Sequence, residues 1–160
     1  MTPTAPFLPR TSHPRSRGIH RWTACLHRLL PHDVLALAQR LGIAGVFWLS
    51  GRTKVDAHWR VTDSAYTLFR EEYRVPLLPP ELAAQMAAMA EHLLPVLLVL
   101  GLATRLSALG LLGMTAVIQV FVYPDAWATH LSWAALLLPL VAQGGGRLSL
   151  DHGLARLLQH

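Results

Sequence analysis

Residues 106–123 read LSALGLLGMTAVIQVFVY, with no charged side chain and only Ser107, Thr115 and Gln119 as polar positions. A helix on a water-soluble domain carries a polar face repeating every 3.6 residues. This stretch has none. At a rise of about 1.5 Å per residue, a helix of this length spans most of the roughly 30 Å of a bilayer's hydrocarbon core. Three further stretches have the same character: 33–51 (DVLALAQRLGIAGVFWLSG), 82–101 (LAAQMAAMAEHLLPVLLVLG) and 126–143 (AWATHLSWAALLLPLVAQ). Leu and Ala dominate them, and the period-two alternation of barrel strands is missing. Lipid offers no partner to the backbone of an open strand, so the spans are expected to be helices. The expected fold is all-α: an integral membrane four-helix bundle.

The composition agrees. Apolar residue types make up 52% of the 160 residues and charged types 14%, against about 25% charged in an ordinary soluble domain. Mean hydropathy is +0.36. A single cysteine, Cys25, excludes an internal disulfide framework, a CxxC redox pair and a Cys-rich zinc site. The pI near 10.3 invites a nucleic-acid reading. The arginines, however, flank the spans instead of forming a stripe on a folded domain, so no nucleic-acid partner is expected.

Residues 1–32 hold Arg10, Arg15, Arg17, Arg21 and Arg28 and no acid. Four prolines mark 1–17 as disordered, and arginines interrupt every candidate apolar core, so no secretory signal is expected. From 18 to 30, Ile19, Trp22, Leu26, Leu29 and Leu30 fall near helical spacing. The leader is either a short amphipathic helix on an anionic leaflet or unstructured. The domain plan is therefore a basic leader over 1–32, a four-span domain over 33–155 and a short tail over 156–160.

Four spans place both termini and the second connection on one side. That side holds eight basic residues, the five of the leader with Arg105, Arg147 and Arg156, against five (Arg52, Lys54, Arg60, Arg70, Arg74) on the other. Acids count little in this comparison. Both termini are expected in the cytoplasm, where Cys25 would be a free thiol.

Residues 52–81 are too long for a plain turn. Thr62 or Asp63 can cap a helix reaching toward Tyr73. Tyr66, Phe69 and Tyr73 then form an aromatic stripe, preceded by Trp59 and ended by Pro76, Pro79 and Pro80. These four aromatics are candidate anchors of an interfacial helix in the first extracytoplasmic loop. It is read as a lid, with or without a ligand beneath it.

Ionisable groups inside spans are expensive and mark partners or function. Arg40 lies in the first span, and Glu91 and His92 lie near the middle of the second. Counting from Asp33 and Gly101, Arg40 is roughly 10 Å deep and Glu91 roughly 15 Å deep. An arginine side chain can bridge that difference, so an Arg40–Glu91 pair is expected. It serves either as a bundle-locking salt bridge or as a proton or anion site facing a quinone-like or other small ligand. His92 reads as a hydrogen-bonded packing residue. With His58, His130 and Asp125 toward the opposite aqueous side and no HxxxH or HExxH run, no metal site is expected. Gln85, Gln119 and Gln143 are expected to bond between helices. Pro95 and Pro139 should kink their spans or free a carbonyl. Ala38, Gly42, Gly110 and Gly113 read as packing positions, and Gly144–Gly146 as the end of the fourth span.

Over about 34–155 the chain resembles the DoxX family of small bacterial membrane proteins. The first span embeds Arg40 and closes on Leu49-Ser50-Gly51-Arg52-Thr53-Lys54. The second carries Glu91 ahead of Leu100-Gly101-Leu102-Ala103-Thr104-Arg105, and the last contains Trp133 and is followed by Gly146-Arg147-Leu148-Ser149-Leu150-Asp151. The resemblance implies a four-helix bundle in the inner membrane, with Arg40, Glu91 and Arg105 as family positions and Lys54 in the lysine close. It also implies an accessory or anchoring subunit of a redox-linked membrane complex, with protein partners beside the lipid bilayer. A quinone-interacting oxidoreductase subunit is the alternative, and a small-molecule transporter a third reading. No flavin, haem or iron–sulfur ligand set is present, so a partner would supply electrons, and quinone is the candidate cofactor. Homo-oligomerisation is left open.

Overall fold

The computed structural model describes residues 31–73 and 75–159. The leader, with its expected helix and Cys25, lies outside the described residues. Within them the chain is all-helical apart from one isolated β-bridge. α1 runs His32–Arg52. α2, Asp63–Leu68, continues into a wider π turn, Phe69–Tyr73. α3 is Pro80–Leu100. α4, Thr104–Val117, also relaxes into a π turn, Ile118–Val122. A 3-10 turn, Pro124–Ala126, leads into α5, Trp127–Gln143, and α6 is Leu150–Leu157.

α1, α3, α5 and α4 taken with its π turn fall within two residues of the stretches read from the sequence. α1, α3 and α4 with its π turn are long and apolar enough to cross a membrane. α5 has 17 residues, about 25 Å at the α-helical rise, against roughly 30 Å of hydrocarbon. α1 packs on α3 and α4 on α5, and contacts of α3 with α4 and of α1 with α5 close the ring. Ile43, Phe47, Leu98, Leu111, Leu137 and Leu140 fill its interior. Large apolar side chains also cover the outside of all four: Leu49, Met89, Leu106, Val120 and Leu131 are exposed. Water-soluble monomers rarely expose such continuous apolar surface.

The ends are set by local chemistry. α3 starts with Pro80 at N1, where a missing N–H costs nothing. It stops at Gly101, whose φ of 69° is left-handed; the Gly101 and Leu102 N–H groups reach back to Leu98 and Leu97 carbonyls at 3.1 and 2.9 Å. α4 is capped from far along the chain. Asp151 accepts from the Ala103 N–H at 2.7 Å and the Thr104 N–H at 2.8 Å. α3 and α5 run through Pro95 and Pro139 without a break. Each proline lacks an N–H, leaving the Glu91 and Ala135 carbonyls without their helical donor.

Thr62 rather than Asp63 caps α2, its Oγ1 accepting from the Ala65 N–H at 3.3 Å. The aromatic stripe turns inward onto α3. Phe69 is buried against Ala83 and Ala84, with Tyr66 and Tyr73 packed beside it. Of the four expected anchors, Trp59 is the exposed one, at 57%. It sits at φ 63° in a small hairpin closed by the Val55–Val61 bridge. There it reaches over Trp48 and His92 while the Arg52 guanidinium stacks on it at 4.9 Å.

Candidate ligand pocket

Gly51 brings α1 and α3 close together: a Cβ there would lie 2.8 Å from His92 Cε1 and 3.0 Å from Glu91 Cβ. The polar groups that meet Glu91 flank this crossing: Ser50 just before Gly51 and Lys54 just past the end of α1. Lys54 Nζ approaches Glu91 Oε2 at 2.7 Å, with side-chain exposures of 6% and 4%. Ser50 Oγ donates to Glu91 Oε1 at 3.3 Å, and Lys54 Nζ donates to Ser50 Oγ at 3.1 Å.

The expected Arg40–Glu91 pair does not form. Arg40 is fully buried and its Nη2 donates to the Leu148 carbonyl at 2.8 Å. Its Nη1 lies where a Cβ on Gly101 would be. Glu91 is ten residues from Gly101, about 15 Å along α3. Helix side chains lean toward their own N-terminus. In the antiparallel α1 and α3 those ends are opposite, so Arg40 and Glu91 lean apart and the depth difference widens.

The Lys54–Glu91 pair forms part of the wall of a pocket of about 400 Å³ between the α2 π turn, α3, α4 and α5. Most of its lining is apolar, including Met86, Ala87, Met114, Ile118 and Trp133. Its other polar groups are Ser50, Tyr73, Tyr123 and His130. The Tyr123 hydroxyl lies 3.5 Å from that of Tyr73. Burial, and then the contact with Tyr123, push the Tyr73 phenol well above its ordinary value. His130 Nδ1 pairs with Gln119 Oε1 at 2.6 Å, and Gln119 Nε2 donates to the Pro124 carbonyl. The site thus offers an ammonium, a carboxylate, phenols and an imidazole around an apolar space.

Of the other sequence candidates, His92 bonds the Ala88 carbonyl at 2.6 Å and stacks edge-on between Trp48 and Trp59, behind Glu91. Arg105 lies at the far end, beside Gly144. Among the described residues no group of three or more His, Cys, Asp or Glu is arranged to hold a metal. The sequence reading did not single out Ser50, Tyr123 and His130 for the pocket. Ser50 lies one turn before Lys54, a legible signal. Tyr123 and His130 join only because the π turn and the 3-10 turn fold the α4–α5 corner back.

Asp151, read from the sequence only as part of the tail resemblance, is given a role by the structure as the cap of α4. Burial alone pushes its carboxyl up, but the Thr104 N–H and hydroxyl, the Ala103 N–H and the Arg40 charge outweigh this and hold it below the usual aspartate value. With Arg40 bonded to Leu148, this end of the molecule is a latch for the 146–151 segment.

Comparison with curated proteins and with solved structures returns no match. The sequence model of the DoxX family matches residues 35–124. That segment includes Arg40, Lys54, Glu91 and Arg105 and stops before the 146–151 tail. A match over more than half of the chain, on the helices that carry the buried ion pair, makes this protein a member of the DoxX family.

Proposed function

We propose that this protein is a multi-pass inner-membrane four-helix bundle with cytoplasmic termini. It binds a lipid-soluble quinone-type molecule in the 400 Å³ pocket and serves as an accessory or anchoring subunit of a redox-linked membrane complex. The observation that carries the reading is the Lys54–Glu91 pair, buried at 2.7 Å and open to an apolar pocket. Small-molecule sites are mostly apolar concavities of about 300–1,000 Å³ with a few placed polar groups. A quinone ring matches that lining. Its carbonyl accepts from the Lys54 ammonium or the Tyr73 hydroxyl, and the hydroxyl of the reduced form donates to the Glu91 carboxylate. The apolar tail suits the methionines and isoleucine. Electrons come from a partner subunit.

The test is purification in mild detergent, followed by mass spectrometry of the extracted lipids and of co-purifying proteins. Wild-type protein is expected to retain quinone, and Glu91→Gln to lose most of it while keeping its helix content. A protein that retains no quinone and binds none when it is added refutes the ligand. Recovery without partners refutes the accessory role.

A further inference from the structure

The opposite end of the bundle carries features that the pocket does not use. α6 docks through its polar side. The Asp151 N–H donates to the Gly101 carbonyl at 2.9 Å while its carboxylate caps α4. Leu150, Leu154 and Leu157 recur at i, i+4 and i+7, one helix face, and Leu158 extends it. All are exposed, Leu157 at 74% and Leu158 at 87%. Among the described residues nothing covers them.

Beside α6 lies an open recess of about 580 Å³ lined by His32, Arg105, Arg147, His152 and the Gly144–Gly146 turn. Both of its carboxylates are engaged by backbone. Asp33 Oδ1 accepts from the Arg147 N–H at 2.6 Å, and Asp151 accepts from Ala103 and Thr104. The Arg105 and Arg147 side chains are exposed, and no acid pairs with either among the described residues. Leu106, next to Arg105, is exposed on the same wall.

A soluble anion accounts for the arginines and leaves the leucines unexplained. A protein groove accounts for the leucines and leaves the cationic recess empty. A phospholipid accounts for both. We infer that this end of the protein is a docking site for anionic phospholipid. α6 lies in the membrane interface with its leucines toward the acyl chains, and the headgroup phosphate sits in the recess between Arg105 and Arg147. Interfacial helices of this kind bind through apolar area together with attraction to anionic lipid. This inference needs a bilayer and is independent of what fills the quinone-type pocket.

The test uses full-length protein in nanodiscs of mixed phosphatidylglycerol and phosphatidylcholine, with lipid retained after detergent extraction read by native mass spectrometry. Wild type is expected to enrich the anionic lipid. Arg105→Gln and Arg147→Gln are each expected to lower the enrichment by about fivefold, with helix content unchanged. A bimane label on Leu157→Cys, in a Cys25→Ser background, reports α6 without touching the arginines. Quenching by brominated acyl chains and not by aqueous iodide is the expected result. Unchanged enrichment in both arginine variants, quenching by iodide alone, or displacement of the lipid by millimolar inorganic phosphate overturns the proposal.

Discussion

Replacing Lys54 by Met tests the ion pair most directly. At 2.7 Å between Nζ and Oε2, the Coulomb attraction is about 6 kcal/mol at an effective dielectric of 20. Desolvating the two ions costs several kcal/mol each, so the intact pair adds little net stability. Removing one partner is different, because Glu91 then stays buried as an uncompensated charge or takes up a proton. Lys54→Met is expected to destabilise by about 3–5 kcal/mol, and Glu91→Leu by a similar amount. The double variant is expected to cost no more than either single change, so the coupling is at least about 3 kcal/mol. Arg40 supplies the control. Its guanidinium, beside Gly101, lies about 15 Å from Glu91 along α3, so Arg40→Met and Glu91→Leu should add within about 0.5 kcal/mol. Equilibrium unfolding in mixed detergent micelles measures all of these. A coupling between Arg40 and Glu91 with none between Lys54 and Glu91 refutes the geometry.

Three further outcomes follow from the same structure. Asp151→Asn removes the charged cap of α4 and is expected to cost about 1–2 kcal/mol at neutral pH. Because the folded carboxyl is held below its ordinary value of 3.8, its contribution is present above that pH and lost as pH falls through the lower folded value. The variant should therefore lack this acid-dependent step in thermal unfolding followed by circular dichroism between pH 5 and pH 2. Gly101→Ala places a Cβ on the Arg40 guanidinium and against Ser149 at a left-handed residue, and should cost at least about 2 kcal/mol by the same unfolding measurement. Met89→Lys puts a charge on the outward face of mid-α3, where Met89 is 64% exposed. In lipid this costs about 2.5–3.5 kcal/mol, read as reduced membrane-fraction yield. A change within 0.5 kcal/mol, the usual effect at a water-exposed site, contradicts the bilayer.

The spans were legible because nothing competes with the signal. Residues 106–123 have no charge to place, so length and apolarity decide the element without knowledge of its neighbours. The Lys54–Glu91 pair was less so. Lys54 lies just past the end of α1 and reads as a basic residue of a loop. It is buried where the chain turns after Gly51, with the Lys54 N–H bonded to the Gly51 carbonyl and the Thr62 N–H bonded back to the Lys54 carbonyl. The tail was the least legible. Asp151 caps a helix that begins 47 residues earlier, and no local pattern encodes a cap supplied from such a distance. α6 is short and its leucines face outward, so neither length nor burial marked it.

Arg40 and Lys54, both buried, stand in different relations to the rest of the molecule. Arg40 reaches a carbonyl and the field of a carboxylate at the α3–α4 corner, and it lines neither the 400 Å³ pocket nor the 580 Å³ recess. Its contacts hold the 146–151 segment onto α3 and α4, which is a folding task. Lys54 and Glu91 hold helices together as well, but a buried pair is a weak means to that end, since apolar residues of similar volume pack as stably or better. What apolar residues cannot do is present a donor and an acceptor to a molecule inside an apolar pocket. The pair lies where such a pocket opens, with Tyr73 and His130 on its other walls. The proposed ligand contact therefore falls to Lys54 and Glu91, while Arg40 latches the tail.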